Sequence, residues 1–192
     1  MTFLPISKLL RQPSDSEVEA RGWIYRARSS GAIVFLVLRD SSGVIQVTVK
    51  KGNLPDPEFE AARGAAVESS VVVQGRLLED KRAPGGKELR ATAFRVLGSA
   101  QPFPITEYQS EELLLDKRHL WIRSREQTAV MKVKAAVMAG ARDWLRENEF
   151  IEVTPPMLTQ NACEGGTTLF KLNYFGREVF LSQSSQMYLE AL

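Results

Sequence analysis

Along residues 17–97 apolar and polar side chains alternate in five short runs rich in β-branched residues. The runs cover residues 17–28 (EVEARGWIYRAR), 32–39 (AIVFLVLR), 44–50 (VIQVTVK), 70–78 (SVVVQGRLL) and 88–97 (ELRATAFRVL). Ser-Ser-Gly, Asp-Ser-Ser-Gly and Ala-Pro-Gly-Gly clusters punctuate them as turns, so each run reads as a strand. Between the third and fourth lies PDPEFEAARGA, whose leading Pro and Asp and trailing Gly64 mark a short helix. Five strands with one helix between the third and fourth follow the order of an OB-fold, a small Greek-key barrel that often binds oligonucleotides. An SH3-like barrel and a plain open sheet are the other arrangements the alternation allows.

After residue 100 the period changes. The stretch GSAQPFPITEYQS, with two prolines, reads as an inter-domain linker. Residues 125–148 then place Val130, Val133, Val137, Ala141 and Trp144 at helical spacing, one apolar stripe with Arg and Lys interrupting the opposite face. FIEVTPPML reads as a strand running into two prolines. A loop, a strand over residues 169–173, a turn over 174–176 and a strand over 178–182 follow, and the closing QSSQ run opens a helix.

Composition narrows the classes. Apolar residues at 44% and charged residues at 25% are globular values, which argues against disorder. No apolar run has the length of about 18–20 residues that a membrane helix needs. The opening MTFLPISKLLRQ has neither a long apolar core nor a small-residue cleavage site, so it does not read as a secretory signal. Cys163 is the single cysteine and His119 the single histidine, which fits a reducing cytoplasm and leaves few ligands for a His/Cys metal site. Net charge is +2, but residues 1–100 hold 15 Lys/Arg against 11 Asp/Glu, and residues 101–192 hold 10 against 12. The basic first half suits an anionic partner as well as it suits a solvated surface.

Strand parity sorts the barrel residues. Val34, Leu36 and Leu38 share one face of the second strand, and Ile45, Val47 and Val49 one face of the third. Phe35 and Gln46 therefore project to the opposite side. An outward aromatic is a stacking platform for a base, and a neighbouring amide can both donate to and accept from a base edge. Arg26, Arg28, Lys81, Arg82 and Lys87 are the cations placed to meet phosphates. An exposed Phe beside solvated charges accounts for the same spacing.

The second half carries a family resemblance. NEFIEVTPPML after a long amphipathic helix resembles motif 1 of class II aminoacyl-tRNA synthetases, with Pro156 at the motif proline, a dimer-interface position in that family. ACEGGTTLF followed by YFGREVFLSQSSQMYLEAL resembles the substrate loop and following strand–helix of the aspartyl/asparaginyl subgroup. LLLDKRHLWIR is similar to the segment that opens that subgroup's catalytic domain, and GWIYRARSSGAIVFLVLRDSSGVIQVTV to its anticodon-binding barrel. The resemblance implies an OB-fold anticodon-binding domain over residues 1–100, a linker over 101–112, and the start of an α+β catalytic domain with an antiparallel sheet over 113–192.

It also implies roles. Phe35 stacks on the central anticodon base, Gln46 hydrogen-bonds it, Glu88 meets the third base, and Arg28 contacts backbone or base. Around the amino acid, Glu164 of CEGG approaches the α-ammonium, with Gly165 and Gly166 letting the loop close. Ser184 is the pocket serine, Gln186 contacts the substrate, and Glu190 accepts from a side-chain amide or serves as a helix N-terminal acid. Aspartyl enzymes carry a lysine three residues after that Gln; here the position is Leu189. A desolvated, unpaired carboxylate is costly, so a neutral carboxamide is expected, and the QSSQMYLE string looks like asparaginyl enzymes. The expectation is an N-terminal piece of an asparagine-specific ligase in the cytoplasm, with a homodimer when full length. ATP and Mg2+ would be bound by motifs 2 and 3 beyond residue 192, so the piece alone should not activate its amino acid. An aspartyl or relaxed aspartyl relative, and a stand-alone RNA-binding protein with a degenerate synthetase domain, are the alternatives.

Overall fold

The computed structural model describes residues 4–105, 109–160 and 169–192. The chain divides into two compact units, Met1–Arg118 and His119–Leu192. In the first, β1 (Glu17–Ser30), β2 (Ile33–Arg39), β3 (Val44–Lys50), β4 (Ser70–Glu79) and β5 (Lys87–Gly98) close a barrel in the order β1-β2-β3-β5-β4. The OB-fold reading holds. β1 is long enough to pair twice: its first half runs antiparallel to β4 and its second half antiparallel to β2. A register shift between Ile24 and Arg26 bends it from one neighbour to the other. The last seam, β3 against β5, is parallel.

Alternation builds the core. Val34, Leu36 and Leu38 of β2, Ile45, Val47 and Val49 of β3, and Leu77 and Leu89 of β4 and β5 are all essentially inaccessible. Each such side chain contributes about 1.5–3 kcal/mol on leaving water. Two helices plug the barrel: α1 (Ile6–Leu9) inserts Ile6 and Leu9, and α2 (Asp56–Gly64) inserts Phe59 and Ala62. α1 is too short to show a period in the sequence, and its anchor is polar. The Asp40 carboxylate accepts the Ile6 N–H at 2.8 Å while its other oxygen accepts from the backbone N–H groups of Ser42 and Gly43 and from the Ser42 hydroxyl. Burial pushes the Asp40 carboxyl up, but these four donors outweigh it and hold the group below the ordinary aspartate range. At Gly75 a Cβ would lie 2.0 Å from the Arg90 carbonyl oxygen, so only glycine lets β4 approach β5 at their register shift.

After α3 (Glu111–Asp116) and α4 (Arg118–Trp121), the second unit's long helix is α5 (Arg125–Glu147), begun by the Ser124 hydroxyl accepting the Gln127 N–H. Val133 and Val137 of its apolar stripe are 64% and 65% exposed. A three-stranded antiparallel sheet follows, ordered β6 (Leu158–Thr159), β8 (Arg177–Leu181), β7 (Lys171–Tyr174), and α6 (Gln186–Leu189) comes last. The strand expected over FIEVTPPML shrinks to its final residue plus Thr159. Pro155 and Pro156 have no N–H to donate to a ladder, and Ile151 is 87% exposed with no sheet beside it among the described residues.

Candidate nucleic-acid interface and small-molecule pocket

Strand register gathers the barrel's polar residues into two rows that cross four strands. In one, Arg28 faces Phe35, Phe35 faces Thr48, and Thr48 faces Arg90; in the next, Arg26 faces Val37, Val37 faces Gln46, and Gln46 faces Glu88. Period-two alternation sends all of these side chains to the outer face. Between them lies an open groove of about 880 Å³, whose lining includes Tyr25, Arg28, Phe35, Gln46, Thr48 and Glu88. Phe35, Gln46, Arg28 and Glu88 are thus brought to one place.

Their contacts are specific. The Arg28 guanidinium lies 5.3 Å from the centroid of the Phe35 ring, a cation–π distance. Glu88 is 91% removed from solvent, and one of its carboxylate oxygens accepts from Thr48 Oγ1 at 2.8 Å and from Gln46 Nε2 at 3.3 Å. Its other oxygen lies 3.7 Å from the Arg90 guanidinium. Arg26 and Arg39 lie 5.6 and 5.4 Å from the Tyr25 centroid, and Glu68 grips Arg39 through two hydrogen bonds of 2.8 and 2.9 Å. At the groove's edge Asp80 is held below the ordinary aspartate range, first by the Arg82 N–H and then by its guanidinium.

Lys87, one of the cations read as facing phosphate, instead turns inward and donates to the Gln12 carbonyl at 2.5 Å. Neither Thr48 nor Tyr25 carries a role in the reading of the sequence. Strand parity turns Thr48 outward beside Gln46, but its partner Glu88 comes only from the β3–β5 pairing. Tyr25 reaches the groove only because of the β1 register shift, which alternation does not encode.

In the second unit, Pro155, Pro156, Ser182, Ser184, Met187 and Tyr188 line a hollow of about 270 Å³. Ser182 Oγ donates to the Ser184 carbonyl at 2.6 Å, and Ser184 Oγ accepts the Gln186 N–H at 3.0 Å, which fixes the entry into α6. One turn on, Gln186 Nε2 donates to Glu190 Oε1 at 2.9 Å, so these two side chains act as a pair. Every residue lining the hollow, among those described, is uncharged. Glu164, with Cys163, Gly165 and Gly166, lies outside the described residues. No group of three or more His, Cys, Asp or Glu side chains comes together among the described residues. No described helix is long and apolar enough to cross a membrane.

Comparison with known proteins adds independent weight. Residues 18–97 match the OB-fold nucleic acid binding domain model, and residues 110–192 match that of class II tRNA synthetases of the D, K and N group. The chain is 46% identical over 177 residues to the asparagine–tRNA ligase of Thermoplasma acidophilum, covering 92% of this chain and 41% of that protein. It is 47% identical over 175 residues to that of Thermococcus kodakarensis, covering 91% and 40%. The crystal structure of asparaginyl-tRNA synthetase from Pyrococcus horikoshii complexed with asparaginyl-adenylate superposes with a TM-score of 0.86 at 44% identity, over 93% of this chain and 42% of that one. The chain therefore spans about two fifths of the length of the relatives it matches. An OB-fold barrel with an outward aromatic and amide row, followed by the opening elements of a synthetase catalytic domain, belongs to the class II tRNA synthetase family, in the group of aspartyl, lysyl and asparaginyl enzymes.

Proposed function

We propose that this chain supplies the anticodon-reading and amino-acid-recognising parts of an asparagine–tRNA ligase, which joins asparagine to its tRNA at the expense of ATP. The observation that carries the amino-acid choice is the neutral hollow beside α6, with Leu189 where aspartyl relatives place a lysine. A side-chain carboxylate bound there would be left desolvated without a partner cation, which costs several kcal/mol, whereas a carboxamide needs only hydrogen bonds. Ser182, Gln183, Ser184 and Ser185 line that hollow and supply the hydroxyl and amide partners for such a ligand, while Gln186 and Glu190 lie outside its lining and are bonded to each other.

On the barrel, Phe35 stacks on the central anticodon base while Gln46 and Glu88 read base edges, with Arg28 against the backbone. Class II synthetases use ATP and Mg2+ in general. The exposed stripe of α5 is the surface on which a second copy would pack, burying Val133 and Val137.

The test is aminoacylation by the intact gene product, with asparagine and aspartate in parallel. Charging of tRNA with asparagine at a kcat/KM at least about a hundredfold above that for aspartate is the expected outcome, given a missing counter-charge. Equal use of aspartate would overturn the assignment and leave an aspartyl or relaxed enzyme.

A further inference from the structure

Glu88 sits on the floor of the groove, and the way it is held assigns work to a residue that has so far had none. A buried carboxylate rotates to satisfy whatever donors surround it, so its direction is set by its partners. Here both short contacts fall on a single oxygen: Thr48 Oγ1 at 2.8 Å and Gln46 Nε2 at 3.3 Å. Among the described residues the second oxygen meets only Arg90, at 3.7 Å, too long for a hydrogen bond and from a half-exposed side chain. That oxygen therefore keeps its acceptor capacity toward the groove. The same arrangement orients Gln46: one of its two amide N–H groups is held by Glu88, which leaves its carbonyl oxygen to meet a ligand.

We propose that Thr48 is a positioning residue for base recognition: its hydroxyl clamps the Glu88 carboxylate, and through it the Gln46 amide, so that two acceptors face the groove. The ligand edge that fits is one presenting N–H donors, imino or exocyclic amino. Thr48 touches no base in this scheme and acts through Glu88. The inference rests on the anticodon-reading assignment of the groove.

Thr48→Val keeps the shape and strand preference of the side chain and removes only the hydroxyl. In the intact gene product, Thr48→Val is expected to raise the KM for cognate tRNA about tenfold with little change in kcat, the effect of one lost hydrogen bond to a charged group. It is also expected to narrow the discrimination against tRNAs altered at single anticodon bases. Thr48→Ser, which retains the donor, restores both. Circular dichroism melting of each variant separates loss of fold from loss of positioning. Phe35→Ala serves as the reference: if it weakens tRNA use while Thr48→Val leaves KM and discrimination at wild-type values, the clamp is refuted and the groove assignment stands. If neither substitution affects tRNA, the groove assignment itself fails.

Discussion

Replacing Phe35 with alanine removes the ring that β2 turns into the groove and little else. Val34 and Leu36, its neighbours on the strand, point into the barrel and stay buried, and the backbone of β2 stays paired to β1 and β3. The Arg28 guanidinium loses its contact at 5.3 Å, worth about 0.5–1 kcal/mol at an exposed site. Because that contact exists with or without RNA, its loss lowers fold stability slightly and leaves the binding difference to stacking. A base stacked on an aromatic contributes about 1–3 kcal/mol, so the dissociation constant of an asparagine-tRNA anticodon stem-loop should rise about 5- to 150-fold. Fluorescence anisotropy of a labelled stem-loop measures this directly. A salt titration sharpens it: the ring meets no phosphate, so Phe35→Ala should leave the slope of log K against log salt unchanged, whereas Arg28→Ala should reduce it by about 0.7. Phe35→Trp should bind as the wild type does. Unaltered affinity in Phe35→Ala would remove the ring from the interface, and with it the argument from strand parity.

Three further outcomes are expected. Gly75→Ala forces a Cβ to within 2.0 Å of the Arg90 carbonyl oxygen, and the backbone shift should destabilise the barrel by about 3 kcal/mol in chemical denaturation; a midpoint equal to wild type would show that β4 and β5 can separate freely. The depressed Asp40 carboxyl contributes stability that is present above its unfolded value near 3.8 and is lost as pH falls through the folded value. Acid unfolding should therefore begin by releasing α1 below about pH 4, and Asp40→Asn should flatten that part of the stability profile; an identical profile in the variant would exclude the group. Val137→Glu places a charge on the 65% exposed α5 stripe and should convert a dimer of the intact gene product to monomer in analytical ultracentrifugation, whereas an unchanged dimer would move the interface elsewhere.

Much of the barrel was legible because a period of two leaves little freedom. Once Val34, Leu36 and Leu38 are assigned inward, Phe35 must face out, and the same holds for Gln46 between Ile45 and Val47. What alternation cannot convey is which strands become neighbours. Gln46 and Glu88 are 42 residues apart, and only the parallel seam of β3 with β5 joins them. Lys87 is one residue from Glu88 yet points the other way, toward Gln12, which is the consequence of strand parity, because β5 begins at Lys87 itself. α1 escaped notice because four residues carry no period, and its docking depends on Asp40 at a distant turn. FIEVTPPML has strand composition, yet composition promises only a willing edge; with two prolines, and among the described residues no strand facing residues 150–156, it pairs only at its far end, where Leu158 meets Leu181. In the second unit, the hydroxyl and amide run that reads as pocket lining does supply Ser182, Ser184 and Ser185, while Gln186 and Glu190 satisfy one another.

If the groove reads nucleic acid as proposed, the parallel seam between β3 and β5 ties reading to folding, because it alone sets Glu88 beside Gln46. A nascent chain can display the Phe35 ring as soon as the β2–β3 hairpin forms, but it lacks the Glu88 carboxylate until the final strand docks. On the proposed reading of the groove, a barrel without β5 would grip nucleic acid loosely and a closed one firmly. On the same reading, by mass action, a cognate tRNA present at a hundred times its dissociation constant would strengthen that last closure by about 2.7 kcal/mol, a molecular latch on the domain proposed to recognise it.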